Sequence, residues 1–337
     1  MRRLSTLPVT LLMTAALVSG CATDSDEAGS PALSDGDRNT EAVDGTEGVT
    51  VTEHGTFDTG WAMSFLPGTD HLLVSERRGA LQLRDQLTGD VHEISGVPEV
   101  HAQGQAGMHD VIPGPTFEQD GMIYLSWVRP HADGAQGVVG RGVLDVDNHR
   151  LSDLEEIWEQ TPAAGNGHFS LRLLIQDDHL FVTSGDRQEM DPAQENDTNL
   201  GSVLRLTLDG EPAPGNPWGT EQWTMGHRNP LGIAEDARGR IWVSEMGPQG
   251  GDELNLLVEG DNYGWPAASM GVHYSGAPIP DHTPGDGFHG PAASWVPAIS
   301  PGNLLIYSGE LFDTWADSAL IGGLSGETIV RVELGEP

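Results

Sequence analysis

Two clusters of polar side chains and glycines in this sequence are suited to hydrogen bonding and proton transfer. In Gly104-Gln105-Ala106-Gly107 the glycines allow close backbone approach, and Gln105 offers both donors and acceptors. A second cluster, Gly165-Asn166-Gly167-His168-Phe169, contains a histidine that could act as a general base near neutral pH. Taken alone, the first cluster is an ordinary turn, and a single histidine among 13 is more often structural.

Two further clusters are suited to binding anions and cations. In His227-Arg228-Asn229-Pro230 the adjacent guanidinium and amide groups could bind a carboxylate or carbonyl oxygen. An arginine that pairs with one of the many acids is an equally good interpretation. Residues 245–253 combine carboxylates with Gly and Pro turns, and residues 262–266 (Asn-Tyr-Gly-Trp-Pro) follow closely. Such turns supply the oxygens that Ca²⁺ requires, so this stretch is a possible calcium loop.

Short strands must position these clusters. The chain contains 45 Gly and 22 Pro, and its β-branched and aromatic runs lie between turn residues, which indicates an all-β fold. A turn followed by a short apolar strand occurs five times, centred on Val74, Leu125, Val182, Val243 and Ile321. The spacings of 51, 57, 61 and 78 residues favour four-stranded blades of a β-propeller with growing loop insertions. A β-sandwich with similar hairpins is the alternative.

The clusters, in this order, resemble the glucose/sorbosone dehydrogenase family, the soluble PQQ-dependent aldose sugar dehydrogenases. The resemblance runs from about Gly60 to the last residue. It is carried by six stretches, namely residues 104–111, His168-Phe169 with Arg172, and residues 228–232, 247–253, 262–266 and 273–276. Any one of these stretches is a weak signal, whereas six in register are specific.

The resemblance implies a six-bladed propeller with PQQ lying across the mouth of its central channel. By position, His168 would be the general base. The residues implied to contact the quinone are Gln105, Arg228, Asn229 and Tyr274. The implied reaction is oxidation of an aldose at C1 to the aldonolactone. In it, His168 takes the proton of the anomeric hydroxyl while hydride passes to the quinone, and Arg228 and Ca²⁺ stabilise the developing charge. Electrons would then pass to an external acceptor.

The resemblance also implies two calcium sites. The carbonyl oxygens of Gly247 and Pro248 would bind the Ca²⁺ that is linked to PQQ. A second, structural calcium would be held by Glu253 and by the carbonyl oxygen of Tyr263.

Two features depart from the family pattern. Members usually place a Lys in the turn that is Ser325-Gly326-Glu327-Thr328 here, and this chain has no Lys. The sequence also ends at Pro337, before the blade that would carry a pair of Arg. We therefore expect about five blades in a chain that is truncated at its C-terminus. The competing interpretations are a non-catalytic calcium-binding propeller that binds a protein or glycan partner, and a calcium-dependent lactonase.

The N-terminus predicts export. Arg2 and Arg3 precede an apolar run, and Val18-Ser19-Gly20-Cys21 resembles a bacterial lipobox, although an ordinary cleavage site is the alternative. We predict a lipoprotein signal peptide over residues 1–20, a disordered acidic tether over 21–48 and the propeller domain over 49–337. No later apolar run reaches the ~20 residues that span a bilayer, so the predicted anchor is lipid alone on a periplasmic or cell-surface protein.

Charge and cysteine content exclude other classes. The chain carries 51 acidic and 16 basic residues, and its formal net charge of −35 argues against a nucleic-acid partner. Because Cys21 is the only cysteine, a disulfide within the chain is impossible.

Overall fold

Five four-stranded antiparallel sheets make up most of the fold in the computed structural model, which describes residues 9–10, 50–132, 134–163, 165 and 167–335. The predicted lipidation site Cys21 and the predicted tether lie outside these residues. So does the predicted signal peptide, except for the strand β1 (Val9–Thr10). Among the described residues, no helix is both long enough and apolar enough to cross a bilayer.

The sheets follow one another along the chain, and each is formed by consecutive strands. Sheet 1 contains β2 (Gly60–Phe65), β3 (His71–Glu76), β4 (Leu81–Asp85) and β5 (Val91–Glu93). Sheet 2 contains β6 (Met108–Pro113), β7 (Met122–His131), β8 (Gly134–Asp145) and β9 (Arg150–Glu159). Sheet 3 contains β10 (Ser170–Gln176), β11 (His179–Ser184), β12 (Ser202–Thr207) and β13 (Gln222–Met225).

Of the last two sheets, sheet 4 carries the longest insertion of the fold, between its third and fourth strands. Sheet 4 contains β14 (Pro230–Glu235), β15 (Ile241–Glu245), β16 (Asp252–Leu256) and β17 (Ala293–Trp295). Sheet 5 contains β18 (Pro301–Ile306), β19 (Ser318–Gly323) and β20 (Thr328–Glu333), and β1 pairs with β20. One short helix, α1 (Phe117–Asp120), and two 3₁₀ turns (Asp191–Gln194 and Asp313–Trp315) lie in loops.

The predicted strand repeat is confirmed. The five equivalent apolar residues lie in the second strand of each sheet, β3, β7, β11, β15 and β19. The first strands of successive sheets contact one another in the order β2, β6, β10, β14, β18. The sheets are therefore blades arranged around a common axis, and the β-sandwich alternative is wrong. The described residues form five blades and no sixth.

The hydrophobic core lies between neighbouring blades. One cluster, which includes Leu73 and Leu125, joins sheets 1 and 2, and a second, which includes Val139 and Val182, joins sheets 2 and 3. Two further clusters join sheets 3 to 4 and 4 to 5. Strands that are covered on both faces need apolar residues on both sides. This is why β3 buries Leu72, Leu73 and Val74 in succession.

The blade geometry collects particular loops at one face of the propeller. Each first strand begins at this face and each second strand ends there, because the strands within a blade alternate in direction. The loops before β6, β10 and β14, and those after β11 and β15, therefore meet at the same end of the axis. We call this end the site face.

Arg172 of β10 joins the blades at the axis. Each first strand shifts register against its neighbour near its start, which leaves carbonyl groups unpaired. The Arg172 guanidinium donates to three such carbonyl oxygens, those of Leu231 at 2.9 Å, Gly302 at 3.0 Å and Trp61 at 3.4 Å. Its Nη1 lies 3.9 Å from Asp110 Oδ1. One side chain of sheet 3 thus contacts the other four blades.

Candidate functional site

His168 lies on the site face immediately before β10. Its main-chain N–H donates to Gln105 Oε1 at 2.8 Å, so the first two predicted clusters are in contact. Its Nδ1 lies 2.6 Å from Asp186 Oδ1. The side chain is 8% exposed, and Nε2 hydrogen-bonds to none of the described residues. With Nδ1–H donating to the carboxylate, the lone pair of neutral imidazole is on Nε2.

The environment keeps His168 neutral. Burial lowers the pKa of its imidazole below the usual 6.5, and the positive charges of Arg228 and Arg187 act in the same direction. The hydrogen bond to Asp186 and its negative charge oppose this effect without cancelling it. A neutral imidazole with one open nitrogen can accept a proton, which is the requirement for a general base.

Asp186 is a site residue that the sequence analysis missed. It is completely buried, and its Oδ1 also accepts the N–H of Gln188 at 2.8 Å. Its Oδ2 accepts the indole N–H of Trp265 at 2.8 Å. The signal in the sequence was the spacing, because His168 and Asp186 are 18 residues apart, as are His227 and Glu245. In the structure, both pairs form a hydrogen bond.

Arg228 brings a positive charge to the site face. Its Nη1 donates to the carbonyl oxygens of Met246 at 3.0 Å and Gly247 at 2.6 Å, and its Nη2 lies 3.3 Å from Tyr274 Oη. Its Nε is buried and has no hydrogen-bond partner within the described ranges. No carboxylate of the described residues forms an ion pair with it. An arginine in this state is suited to binding an anion or a carbonyl oxygen.

The other residues predicted to contact the quinone surround Arg228 and His168. The Asn229 side chain is 3% exposed, and its Oδ1 accepts the Ser170 hydroxyl at 3.1 Å. The Tyr274 ring is 73% exposed beside the Arg228 guanidinium, whose carbon lies 5.6 Å from the ring centroid. Gln105 is exposed. An exposed aromatic ring beside a cation offers a surface on which a flat conjugated molecule can stack.

A cavity of about 10 Å³ lies beneath Arg228, about the volume required by one water molecule or ion. All four residues predicted to bind calcium line it. The complete lining is Gly226, Arg228, Glu245, Gly247, Pro248, Gly251, Glu253, Tyr263, Trp265, Ala268 and Ser269. The predicted calcium residues are therefore grouped around one small space.

The chemistry of this lining suits a cation. Burial raises the pKa of Glu253 well above its usual value, and the negative charges of Glu245 and Asp252 raise it further. The carbonyl oxygen of Tyr263 accepts no hydrogen bond from the described residues. The Gly247 carbonyl oxygen, however, is bonded to Arg228. A carbonyl oxygen has two lone pairs, so Gly247 could accept this hydrogen bond and bind a metal at the same time.

The turn that follows β15 has no room for a side chain at Gly247. A Cβ on Gly247 would lie 2.1 Å from the Gly251 carbonyl oxygen. The Gly247 N–H donates to Asp252 Oδ1 at 2.9 Å, and Asp252 Oδ2 accepts the N–H groups of Ile299 and Ser300 at 2.7 Å each. Ser300 Oγ in turn bonds to Ser325 Oγ. The turn in which the family usually has a Lys is therefore linked to the site face.

Comparisons with known proteins agree with this arrangement. The sequence matches the Glucose / Sorbosone dehydrogenase family over residues 57–337. It is 34% identical over 286 residues to the aldose sugar dehydrogenase YliI of Escherichia coli K12, covering 81% of this chain and 77% of that protein.

Solved structures are similar as well. A glucose dehydrogenase crystal structure has a TM-score of 0.79 and 37% identity, covering 83% of this chain and 84% of that one. The PQQ-bound aldose sugar dehydrogenase of Streptomyces coelicolor has a TM-score of 0.71 and 31% identity, covering 83% of this chain and 78% of that one.

Proposed function

The chain belongs to the glucose/sorbosone dehydrogenase family and is an oxidoreductase, and we propose that it oxidises an aldose at C1 to the aldonolactone with PQQ and Ca²⁺. The observation that carries this proposal is the His168–Asp186 pair. The open Nε2 of His168 lies on the same site face as Arg228, which forms no ion pair with a carboxylate of the described residues. Removal of a hydroxyl proton requires a base, and a negatively charged cofactor beside it requires an anion-binding group.

The side chains around the channel mouth fit PQQ. Arg228 would bind an oxygen of the cofactor, because its Nε lacks a partner and its charge is not neutralised. The exposed Tyr274 ring would pack on the conjugated rings, and the amide groups of Gln105 and Asn229 would donate to cofactor oxygens. The PQQ-bound relative from Streptomyces coelicolor supports the same cofactor here.

The cavity lining fits Ca²⁺. Glu253 is buried with a raised pKa, and a divalent cation would favour its ionised form. The main-chain oxygens of Gly247, Pro248 and Tyr263 would supply further hard ligands. We propose the two roles predicted from the sequence for these residues, with Gly247 and Pro248 near the cofactor and Glu253 and Tyr263 at a structural ion. Because the cavity that all four line has room for one ion, the second ion would lie outside it.

The chain's own residues bind and deprotonate the sugar. When bound, PQQ with Ca²⁺ as Lewis acid would accept a hydride equivalent from C1 and pass the electrons to an external acceptor. His168 Nε2 accepts the proton of the anomeric hydroxyl. Asp186 stabilises the resulting imidazolium through Nδ1–H, because its carboxylate is 2.6 Å from that nitrogen. Arg228 stabilises negative charge near the reacting centre.

Two features of the chain bear on this proposal. The Ser325–Thr328 turn supplies no cation, and one fewer positive charge near a tricarboxylate costs affinity on the order of 1 to 3 kcal/mol.

A calcium-dependent lactonase would need several carboxylates to converge in the channel, and in the described part of the chain no three His, Asp or Glu residues form a metal-binding group.

The remaining predictions stay proposals. We propose that a sixth sheet completes the propeller, because β2 and β18 expose apolar side chains, with Met63 and Phe65 about two-thirds exposed and Leu305 57% exposed. We also propose that the protein is exported and held at a bacterial membrane by a lipid on Cys21.

The test is reduction of a dye acceptor by the purified chain with a panel of aldoses. Dye reduction should require PQQ, Ca²⁺ and sugar together, should cease when a chelator removes Ca²⁺, and should yield the aldonolactone. Dye reduction that is independent of added PQQ, or lactone hydrolysis in its place, would contradict the proposal.

A further inference from the structure

Asp186 has a third partner, which comes from a different blade. Its Oδ1 is used by His168 Nδ1 at 2.6 Å and by the Gln188 N–H at 2.8 Å. Its Oδ2 accepts the Trp265 indole N–H at 2.8 Å. Asp186 is 0% exposed and Trp265 is 6% exposed, so water does not compete for this hydrogen bond.

The backbone around Trp265 is fixed against sheet 3. Trp265 lies in the insertion between β16 and β17, and its main-chain N–H donates to the Gly226 carbonyl oxygen at 2.9 Å. Its carbonyl oxygen accepts Gln194 Nε2 at 2.7 Å. Two residues before Trp265 in the chain, the Tyr263 N–H donates to the Met225 carbonyl oxygen at 2.9 Å. The backbone of Trp265 therefore stays in place if the Asp186 carboxylate rotates, and the indole N–H acts as a fixed donor.

We propose that Trp265 is a positioning residue for proton transfer, and that its indole N–H fixes the plane of the Asp186 carboxylate so that Oδ1 is directed at His168 Nδ1. The inference rests on the proposed function of His168 as the base. A residue in the insertion of sheet 4 thus orients the His168–Asp186 pair, which belongs to sheet 3.

A carboxylate with a single fixed oxygen can rotate about its terminal torsion, since that torsion is broad. The indole hydrogen bond removes this freedom at Oδ2. The other charged groups that face His168 are Arg187 and Arg228, and both disfavour its protonation. If the carboxylate turns, Oδ1 no longer faces the His168 Nδ1–H, and the ring can rotate or move its proton to Nε2. Loss of the indole N–H therefore misorients the imidazole and reduces the share of the tautomer whose lone pair is on Nε2.

Trp265 also packs in the site, since it lines the cavity and its ring lies 5.4 Å from the Arg228 guanidinium carbon. The substitution that separates the two roles is Trp265→Phe, because phenylalanine keeps an aromatic ring and removes the N–H. The matched control is Trp242→Phe. The Trp242 indole donates to Asp236 Oδ2 at 2.9 Å in a turn of sheet 4, and Asp236 does not contact His168.

The first readout is steady-state kinetics of the PQQ- and Ca²⁺-loaded chain. In Trp265→Phe we expect kcat to fall about tenfold, as for loss of one hydrogen bond to a charged group, with KM for the sugar within about twofold of wild type. Trp242→Phe should keep the wild-type kcat. Equal kcat values in the two variants would overturn the inference.

The second readout is the chemical shifts of the His168 ring nitrogens, measured by NMR on the neutral ring in the cofactor-free protein and assigned by comparison with His168→Ala. In Trp265→Phe the share of the Nδ1–H tautomer should fall relative to wild type, and in Trp242→Phe it should not change. An unchanged tautomer ratio in Trp265→Phe would overturn the inference. Because this readout needs neither PQQ nor sugar, a wild-type chain without activity would refute the proposed function, and the tautomer ratio would still decide the role of Trp265.

Discussion

His168 and His227 occupy equivalent positions before the first strands of sheets 3 and 4, and each bonds to an acid 18 residues later. Both nitrogens of His227 are engaged, by Glu245 and by Thr224 Oγ1 at 2.9 Å, and the side chain is fully buried. His168 keeps Nε2 open at the site face. The scaffold thus provides the same histidine–acid pair twice, and only one copy can exchange a proton with a substrate.

The pKa of His168 can be measured directly. Since burial lowers it below 6.5 against the effect of Asp186, NMR titration of the cofactor-free chain should give a value under 6.5. In Asp186→Asn the pKa should fall further, because the negative charge that favours the imidazolium is gone. A value above 6.5 in the wild type, or a rise in Asp186→Asn, would contradict this description of the site.

His109 is a buried histidine near the axis with no role in the proposed chemistry. Its ring nitrogens have no hydrogen-bond partner among the described residues, and the rings of Trp61 and Phe169 lie beside it. Burial lowers the pKa of His109 to about 3, Arg172 lowers it as well, and the Ser170 backbone opposes them. A polar group that is buried without partners destabilises the folded state.

Replacing His109 with Leu should therefore stabilise the protein. Below about pH 6.5 the unfolded chain binds a proton that folded His109 does not, so wild-type stability falls by about 1.4 kcal/mol per pH unit from this group. The advantage of His109→Leu should grow between pH 7 and pH 5 in urea unfolding. His92→Leu, at an exposed histidine, is the control. A variant that is less stable than wild type at pH 5 would contradict the prediction.

At the scale of elements, the first strands depend on Arg172. Its three carbonyl partners lie in β2, β14 and β18, at the register shift of each strand. In the described part of the chain, the acid that lies beside Arg172 is Asp110, whose pKa is raised by burial even though Arg172 lowers it. The hydrogen bonds of one buried cation thus replace the strand pairing that the bulges remove.

Arg172→Met should be strongly destabilising. It leaves three carbonyl oxygens without their donor and removes the cation beside the buried Asp110 carboxylate, and the free energy of unfolding should fall by about 3 to 5 kcal/mol. Arg331→Met is the control, because Arg331 is bonded within sheet 5 and to the loop before β19, and its loss should cost about 1 kcal/mol or less. Equal unfolding midpoints in the two variants would show that Arg172 does not join the blades.

The elements were largely predictable from sequence because their signals are local. Each strand of the repeat lies between its own turn residues, as at Gly239 before Ile241. The contacts at the site are not local. Asp186 meets Trp265 across 79 residues, and the His168 N–H meets Gln105 across 63. The resemblance to the family identified His168 and Arg228, whereas the partners that orient them follow only from the packing of the blades.

At the scale of the whole molecule, two blades have uncovered faces. Met63 and Phe65 of β2 and Leu305 of β18 are exposed although they lie in first strands, where other blades are covered by a neighbour. Apolar residues on an uncovered sheet face promote association. The formal net charge of −35 opposes association at low salt and is screened at high salt.

The purified chain should therefore self-associate as salt is raised. Sedimentation velocity at about 1 M salt, where the Debye length is about 3 Å, should show oligomers, and Phe65→Glu should shift them towards monomer. Leu87→Glu is the control, because Leu87 is 77% exposed in a turn away from these faces. A monomeric wild-type chain at high salt would mean that the faces of β2 and β18 do not associate.

The central claim is that His168 acts as the base in sugar oxidation with PQQ, and the most direct test is a single-turnover experiment without acceptor. The chain and His168→Gln are loaded with PQQ and Ca²⁺ and mixed with excess aldose, and cofactor absorbance is followed. The account predicts sugar-dependent cofactor reduction that is at least about 100-fold slower in His168→Gln at equal PQQ content. Equal rates in the two proteins, or no reduction in the wild type despite bound PQQ, would contradict it.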